Sequence, residues 1–434
     1  MCEVVLLVGI FATFAIFAQV ACLALRWVWL HKKQILMENI LMVDLKGQYI
    51  KIKDEIDAAI SEVTSSCRFI NGSQVQLFAR ELEAYTGAKH VIPCGNGTDA
   101  LQIALMSLLK PGDEVIVPAF TYVATAEVIG LLGMVPVMVD VSYDTFNVGG
   151  SCGEHLLNAE QMLERVLTPR TKAIVPVHLF GQCADMELIM NFANRHGLYV
   201  IEDTAQAIGA EYRFSNGTVK QAGTIGNIGC TSFFPSKNLG CYGDGGALFT
   251  DDDLLAEKIR MIANHGQRVK YHHAVIGCNS RLDTIQAAVL RVKLKYLKEY
   301  TASRQKAAAV YDRLLASLQP AVVLPARNSQ STHVFHQYTI KVPGMTRDGA
   351  GAAVSVRDAL KEYLSGRGVP SMIYYPLSLD EQEAFKAIAV NPVELNISKE
   401  LSETVLSLPM HTELTASVQE YIVSFCREFI EKLC

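Results

Sequence analysis

Four short apolar runs constrain this chain most: Glu114-Val-Ile-Val-Pro118, Val135-Pro-Val-Met-Val-Asp140, Ala173-Ile-Val-Pro-Val177 and Leu198-Tyr-Val-Ile-Glu-Asp203. Between them lie stretches with apolar residues at helical spacing, as at Ala100, Ile103, Ala104 and Leu108. Strands this short and this apolar must be covered on both faces. Alternating helices supply that cover, so the pattern predicts an α/β fold with a mostly parallel central sheet. Such sheets hold ligands at the carboxyl ends of their strands. Pro118, Asp140, His178 and Asp203 stand at those ends, and that edge is where chemistry is expected.

A chain of 434 residues is too long for one ordinary core. A helix opening near Asp283 carries Ile285, Val289 and Val292 on one face, and beyond it the pattern loosens. We therefore expect a large domain over residues 37–290 and a smaller C-terminal α+β domain over 291–434. Residues 1–36 stand apart. Val4 to Leu30 carries a single charge, Arg26, and exceeds the ~20 residues that span a bilayer. Two readings stay open: a membrane anchor whose flanking Lys32 and Lys33 keep the following domain in the cytoplasm, or a translation start at Met37. Either way the working domain is expected in the cytoplasm, touching a membrane only through residues 4–30. The net charge of −5, with no basic stripe, speaks against nucleic-acid binding. Eleven cysteines include no CxxC pair, which argues against a metal site or a disulfide framework.

Four segments carry functional signal. Cys94-Gly-Asn-Gly-Thr-Asp99 precedes a helical pattern, so free N–H groups and a positive helix end suit a phosphate there; simple capping is the other reading. No lysine follows at the place a Walker loop requires. In Ile201-Glu-Asp-Thr-Ala-Gln206, Asp203 ends an apolar strand and needs a cationic or hydrogen-bonding partner, unless it is only a helix cap. Lys237, in Ser232-Phe-Phe-Pro-Ser-Lys-Asn-Leu-Gly240, stands among apolar and turn-forming residues. There an amine loses its proton more easily and becomes a nucleophile, though loop lysines are commonly just exposed. Asn279 and Arg281, in Gly277-Cys-Asn-Ser-Arg-Leu-Asp283, form an anion-binding corner before a helix.

In this order the segments resemble the pyridoxal-phosphate sugar aminotransferases of the DegT/StrS family. The likeness runs from Val43-Asp-Leu-Lys-Gly-Gln-Tyr49 to Leu406-Ser-Leu-Pro-Met410. It also takes in Thr121-Tyr-Val-Ala-Thr-Ala126, Pro176-Val-His-Leu-Phe-Gly-Gln182 and Asn264-His-Gly266. It implies a fold type I transferase. Carried over, Lys237 is the lysine that holds pyridoxal 5′-phosphate as a Schiff base and shuttles the proton. Asp203 pairs with the pyridine nitrogen, Gln206 with the ring hydroxyl, and Tyr122 stacks on the ring. The backbone N–H groups of Thr98 and Asp99 hold the phosphate with the Ser232 hydroxyl. Asn279 reaches in from a second subunit, which implies a homodimer with shared sites. Arg281 and His336 resemble substrate-binding positions, although His336 also reads as a structural histidine. The segment Tyr374-Tyr-Pro-Leu-Ser-Leu-Asp-Glu-Gln382 departs from the family pattern, with Ser378 for a proline and Asp380 for His or Asn.

The implied reaction moves an amino group, with glutamate as donor, to a keto-sugar on UDP or dTDP. It serves O-antigen, lipopolysaccharide or capsule synthesis. A 3-keto sugar, such as a UDP-linked 3-keto-glucuronate, is favoured over a 4-keto sugar. Two other functions meet opposing residues. Sugar dehydration replaces the lysine with histidine, which Lys237 contradicts. A non-catalytic, membrane-attached sensor or scaffold is opposed by the complete set Asp203, Gln206 and Lys237.

Overall fold

A computed structural model of the chain describes residues 40–149, 158–347, 349 and 351–433. The hydrophobic leader of residues 4–30 therefore lies outside the described residues. Among those residues, no helix is long and apolar enough to cross a membrane.

The expected sheet forms. Its seven strands are β1 (His90–Cys94), β2 (Glu114–Pro118), β3 (Val135–Val139), β4 (Thr171–Ile174), β5 (Tyr199–Asp203), β6 (Ile228–Ser232) and β7 (Gly246–Thr250). The order across the sheet is β1-β7-β6-β5-β4-β2-β3. Neighbours pair in parallel from β6 to β3, while β7 runs antiparallel to both β1 and β6. All five residues of β2 are buried, as are all five of β7, in keeping with helical cover on both faces. The run expected to continue to Val177 stops at Ile174 as a strand. Pro176 has no N–H to give the ladder, though its carbonyl still accepts from Asp203 N at 2.9 Å, and Val177 makes one bridge to Asp203.

Strands β8 (Tyr338–Lys341) and β9 (Val405–Leu408) pair antiparallel at the heart of a second core. Around them pack the helices Leu297–Leu315, Val356–Ser365 and Ala416–Leu433. Helix Thr284–Leu294 buries Val289 and Val292 as the pattern predicts, while Ile285 is only half-buried. Leu297 packs in a core with Phe78, Leu82 and Phe249, whereas Ala307, Ala308, Tyr311 and Leu315 join the core around β8 and β9. Ile40 also lies in the C-terminal core, and Met410 N donates to Met42 O at 3.2 Å.

The two halves are stitched together at β3. Val390 of the C-terminal half runs alongside this edge strand, its N–H donating to Pro136 O and its carbonyl accepting from Met138 N, both at 3.0 Å. One residue past β3, Asp140 serves structure rather than chemistry. Its buried carboxylate accepts the N–H of Ile397 at 2.9 Å, and the N–H and hydroxyl of Ser398 at 2.8 and 2.6 Å. It thus caps the helix Asn396–Thr404 from a distant part of the chain. Replacing Asp140 with Ala should therefore strand buried donors and lower unfolding stability by about 3 kcal/mol. Urea denaturation measures this, and a loss below about 0.5 kcal/mol would show that the cap is dispensable.

Candidate active site

A cavity of about 640 Å³ opens at the carboxyl ends of β1, β2, β5 and β6. Thr98, Asp99, Tyr122, Asp203, Gln206, Ser232, Lys237 and His336 all line it; Asn279 and Arg281 do not. Asn279 is exposed and Arg281 half-buried, on the segment before helix Thr284–Leu294.

The turn after β1 brings its backbone to the cavity because glycine allows close approach. A Cβ on Gly97 would come within 2.7 Å of the Ser232 Cβ. Helix Gly97–Leu108 starts here, capped by Asn96, whose Oδ1 accepts the Asp99 N–H at 2.8 Å. That donation occupies one of the two amides expected to face a phosphate. Thr98 N–H remains without a partner among the described residues, and Gly97 N–H joins it. The Ser232 oxygen stands beside this turn and accepts from Phe234 N at 3.3 Å, leaving its own proton free.

Two carboxylates end β5 and point to opposite faces. Glu202 is fully buried and fully satisfied. Its oxygens accept the N–H groups of Gly223 at 2.9 Å and of Ile225 and Gly226 at 2.7 Å each, with His178 Nε2 at 2.9 Å. Ala184 N–H donates to His178 Nδ1 at 3.1 Å, so the ring proton sits on Nε2 and faces Glu202. His178 is therefore a structural partner, withdrawn from the cavity edge where its position at a strand end suggested chemistry. Asp203 is less well served. Its Oδ2 accepts from the Thr125 hydroxyl at 2.8 Å and its Oδ1 from Ala205 N at 3.1 Å, and it makes no ion pair among the described residues. Burial holds its carboxyl above the usual range despite those bonds. A cationic N–H in the cavity is the partner that this carboxylate lacks.

Lys237 faces the same cavity. Its backbone N–H closes a turn onto Phe234 O at 2.8 Å. Desolvation pushes the amine down to about 8, with the Asp203 charge pulling the other way. Near neutrality the group therefore has an accessible neutral, nucleophilic form. Gln206 is held at both ends of its amide: Oε1 accepts from Phe180 N at 2.8 Å and Nε2 donates to the Tyr375 hydroxyl at 3.1 Å. Tyr122 is 55% exposed, with its ring 6.0 Å from that of Tyr375, so a flat face is available to a ligand ring. His336 is 6% exposed, and its Nδ1 has no partner among the described residues. Burial, Lys237 and Arg304 hold its imidazole well below the ordinary pKa, hence neutral.

Sequence reasoning assigned no role to Thr125, Tyr375 or Arg304. Thr125 lies in Thr121-Tyr-Val-Ala-Thr-Ala126, and the need of Asp203 for a donor is the signal that points to it. Arg304 lies on the buried stripe of helix Leu297–Leu315 and donates to the carbonyls of Phe335, His336 and Met410. The divergent segment meets the cavity through Tyr374 and Tyr375 at its start. Ser378 caps the short turn Leu379–Glu381 and donates to Asp380 Oδ1 at 2.6 Å, and neither residue lines the cavity.

The sequence profile described as the DegT/DnrJ/EryC1/StrS aminotransferase family matches residues 50–427. Over 393 residues the chain is 46% identical to a "pleiotropic regulatory protein" of Geobacillus stearothermophilus, covering 90% of this chain and 98% of that protein. Over 379 residues it is 45% identical to the UDP-2-acetamido-2-deoxy-3-oxo-D-glucuronate aminotransferase of Pseudomonas aeruginosa, covering 87% and 97%. The crystal structure of S. venezuelae DesV in complex with a ketimine intermediate superposes with a TM-score of 0.81. Its identity is 37%, over 91% of this chain and 99% of that one.

The lowered basicity of Lys237 can be measured directly. In the full chain freed of small molecules, reductive methylation of Lys237 should rise through a midpoint near pH 8, below the ~10.4 of an ordinary lysine. Asp203→Asn removes the charge that holds the proton on, so the midpoint should fall further. A midpoint at 10 or above in the parent chain would refute the burial argument.

Proposed function

The chain belongs to the DegT/DnrJ/EryC1/StrS aminotransferase family, whose cofactor is pyridoxal 5′-phosphate, and from that membership we propose a specific reaction. The chain moves an amino group from glutamate to a keto-sugar carried on a nucleotide, the first candidate being a 3-keto sugar on UDP. The observation that carries this reading is the Lys237 amine and the under-satisfied Asp203 carboxylate facing one cavity.

The residues present suit the cofactor. Asp203 takes the protonated ring nitrogen, the cation it otherwise lacks. Gln206 keeps a second Nε2 proton that would meet the ring hydroxyl, and Tyr122 would cover one face. The free amides of Gly97 and Thr98, with the Ser232 hydroxyl, take the phosphate. Bound there, the cofactor supplies an electron sink for the carbon that gains or loses nitrogen. Lys237 Nζ accepts and returns the proton at that carbon, a task suited to an amine titrating near 8.

Asn279 and Arg281 lie outside the lining of their own cavity and serve that of a second copy, in an isologous dimer. Arg281 offers a bidentate donor to a diphosphate or a sugar carboxylate. Similarity to an aminotransferase whose name specifies a 3-oxo-glucuronate supports the 3-keto choice. The regulatory name of another relative keeps a non-catalytic reading in view, and the intact Lys237–Asp203–Gln206 set weighs against it.

A panel of UDP- and dTDP-linked 3-keto and 4-keto sugars, assayed for glutamate-dependent amination, tests the proposal. Turnover is expected with 3-keto sugars; activity confined to 4-keto sugars would overturn that preference, and none at all would favour the regulatory reading. Lys237→Ala should lower turnover by at least about a thousandfold while leaving a folded protein. Arg281→Ala should raise KM about tenfold with kcat little changed, and an unaltered KM would remove it from the site.

A further inference from the structure

We propose that Ser280 is a positioning residue for the phosphate: its hydroxyl draws the Asp99 carboxylate away from the amides that the anion needs. The inference rests on the cofactor assignment above. Asp99 is the third residue of helix Gly97–Leu108, the position from which a carboxylate folds back onto its own N-cap amide. The amides of Asn96, Gly97 and Thr98 have no partner among the described residues, so a loose Asp99 side chain would seek the donors a phosphate uses. It would also place a like charge beside that phosphate.

The structure holds the side chain elsewhere. Ser280 Oγ donates to Asp99 Oδ2 at 2.6 Å and accepts from Gly95 N at 2.9 Å, so the single hydroxyl proton is committed to the carboxylate. Gly95 makes room for this arrangement, since a Cβ there would lie 2.8 Å from Asp99 Oδ2. Ser280 itself is 2% exposed and cannot drift. Its N–H donates to Ala263 O at 3.0 Å, and Cys278 bonds through N–H to Ile262 O and through its carbonyl to His265 N, both at 2.8 Å. These contacts fix the segment to the end of helix Asp253–Ala263. The clasp therefore joins the phosphate turn to the segment that carries Asn279 and Arg281.

The test uses the full chain stripped of cofactor and titrated with inorganic phosphate, pyridoxal phosphate and unphosphorylated pyridoxal. Ser280→Ala should weaken both phosphate-bearing ligands about tenfold and leave pyridoxal unchanged. In an Asp99→Asn background, where no charge needs holding back, the same substitution should cost less than about twofold. Parent-like phosphate binding by Ser280→Ala would overturn the proposal, as would an equal loss for pyridoxal. Should that variant fail to fold, Asp99→Asn decides alone: unchanged or tighter phosphate binding supports the clasp, and a tenfold loss overturns it. Inorganic phosphate needs no covalent attachment. A parent chain that binds phosphate but never takes pyridoxal phosphate onto Lys237 would refute the aminotransferase reading and leave the clasp standing.

Discussion

The catalytic edge depends on how two neighbouring carboxylates are removed from water at the end of the central strand. Alternation along β5 sends Glu202 to one side and Asp203 to the other. Three backbone amides and the His178 N–H surround Glu202, so its charge is matched without any ligand. Asp203 has two neutral donors and the Lys237 amine nearby. Desolvation falls on both, but only one is compensated. The fold thus separates a carboxylate that builds the wall from one that waits for a cation, and the difference lies in the donors each face supplies.

The opposite wall comes from the C-terminal half and rests on a buried cation, Arg304, that makes no ion pair among the described residues. Arg304 gives N–H groups to the carbonyls of Phe335, His336 and Met410, and burial lowers its pKa to about 10. Three carbonyl dipoles spread its charge, and their convergence fixes the backbone that carries His336 to the cavity. A neutral imidazole is the consequence, because it sits in low dielectric between two cationic side chains. Neither Arg304 nor the carbonyls it holds shows any motif, since backbone acceptors are present at every residue.

What could be read from the residues follows the same logic. The strands, and the need of Asp203 for a partner, were legible because burial of an apolar strand, and of a charge at its end, are local statements that a few adjacent residues express; the residues around Lys237 left an exposed loop lysine equally open. Asp140 and His178 occupy equivalent strand ends yet serve structure, because their partners are chosen by distant segments: Ile397 and Ser398 in one case, Glu202 and Ala184 in the other. The amide of Asp99 was expected to be free, and the Asn96 side chain two bonds into the same turn takes it. Ser378 and Asp380, where the sequence departs from the family pattern, bond to each other in a loop docked through Leu379 N on Ala119 O at 2.8 Å, a contact with a distant segment.

The contacts along β3 also set an order of events. This edge strand emerges from synthesis long before Val390, Ile397 and Ser398 exist to cover its free rim and satisfy Asp140. At ordinary elongation rates the interval is on the order of tens of seconds. Throughout it an apolar strand offers unpaired backbone groups to any neighbouring nascent chain. The sheet can assemble its interior early, yet its last edge closes only when the C-terminal half arrives, so ribosome-bound intermediates are the form of this protein most open to aggregation and to chaperone capture.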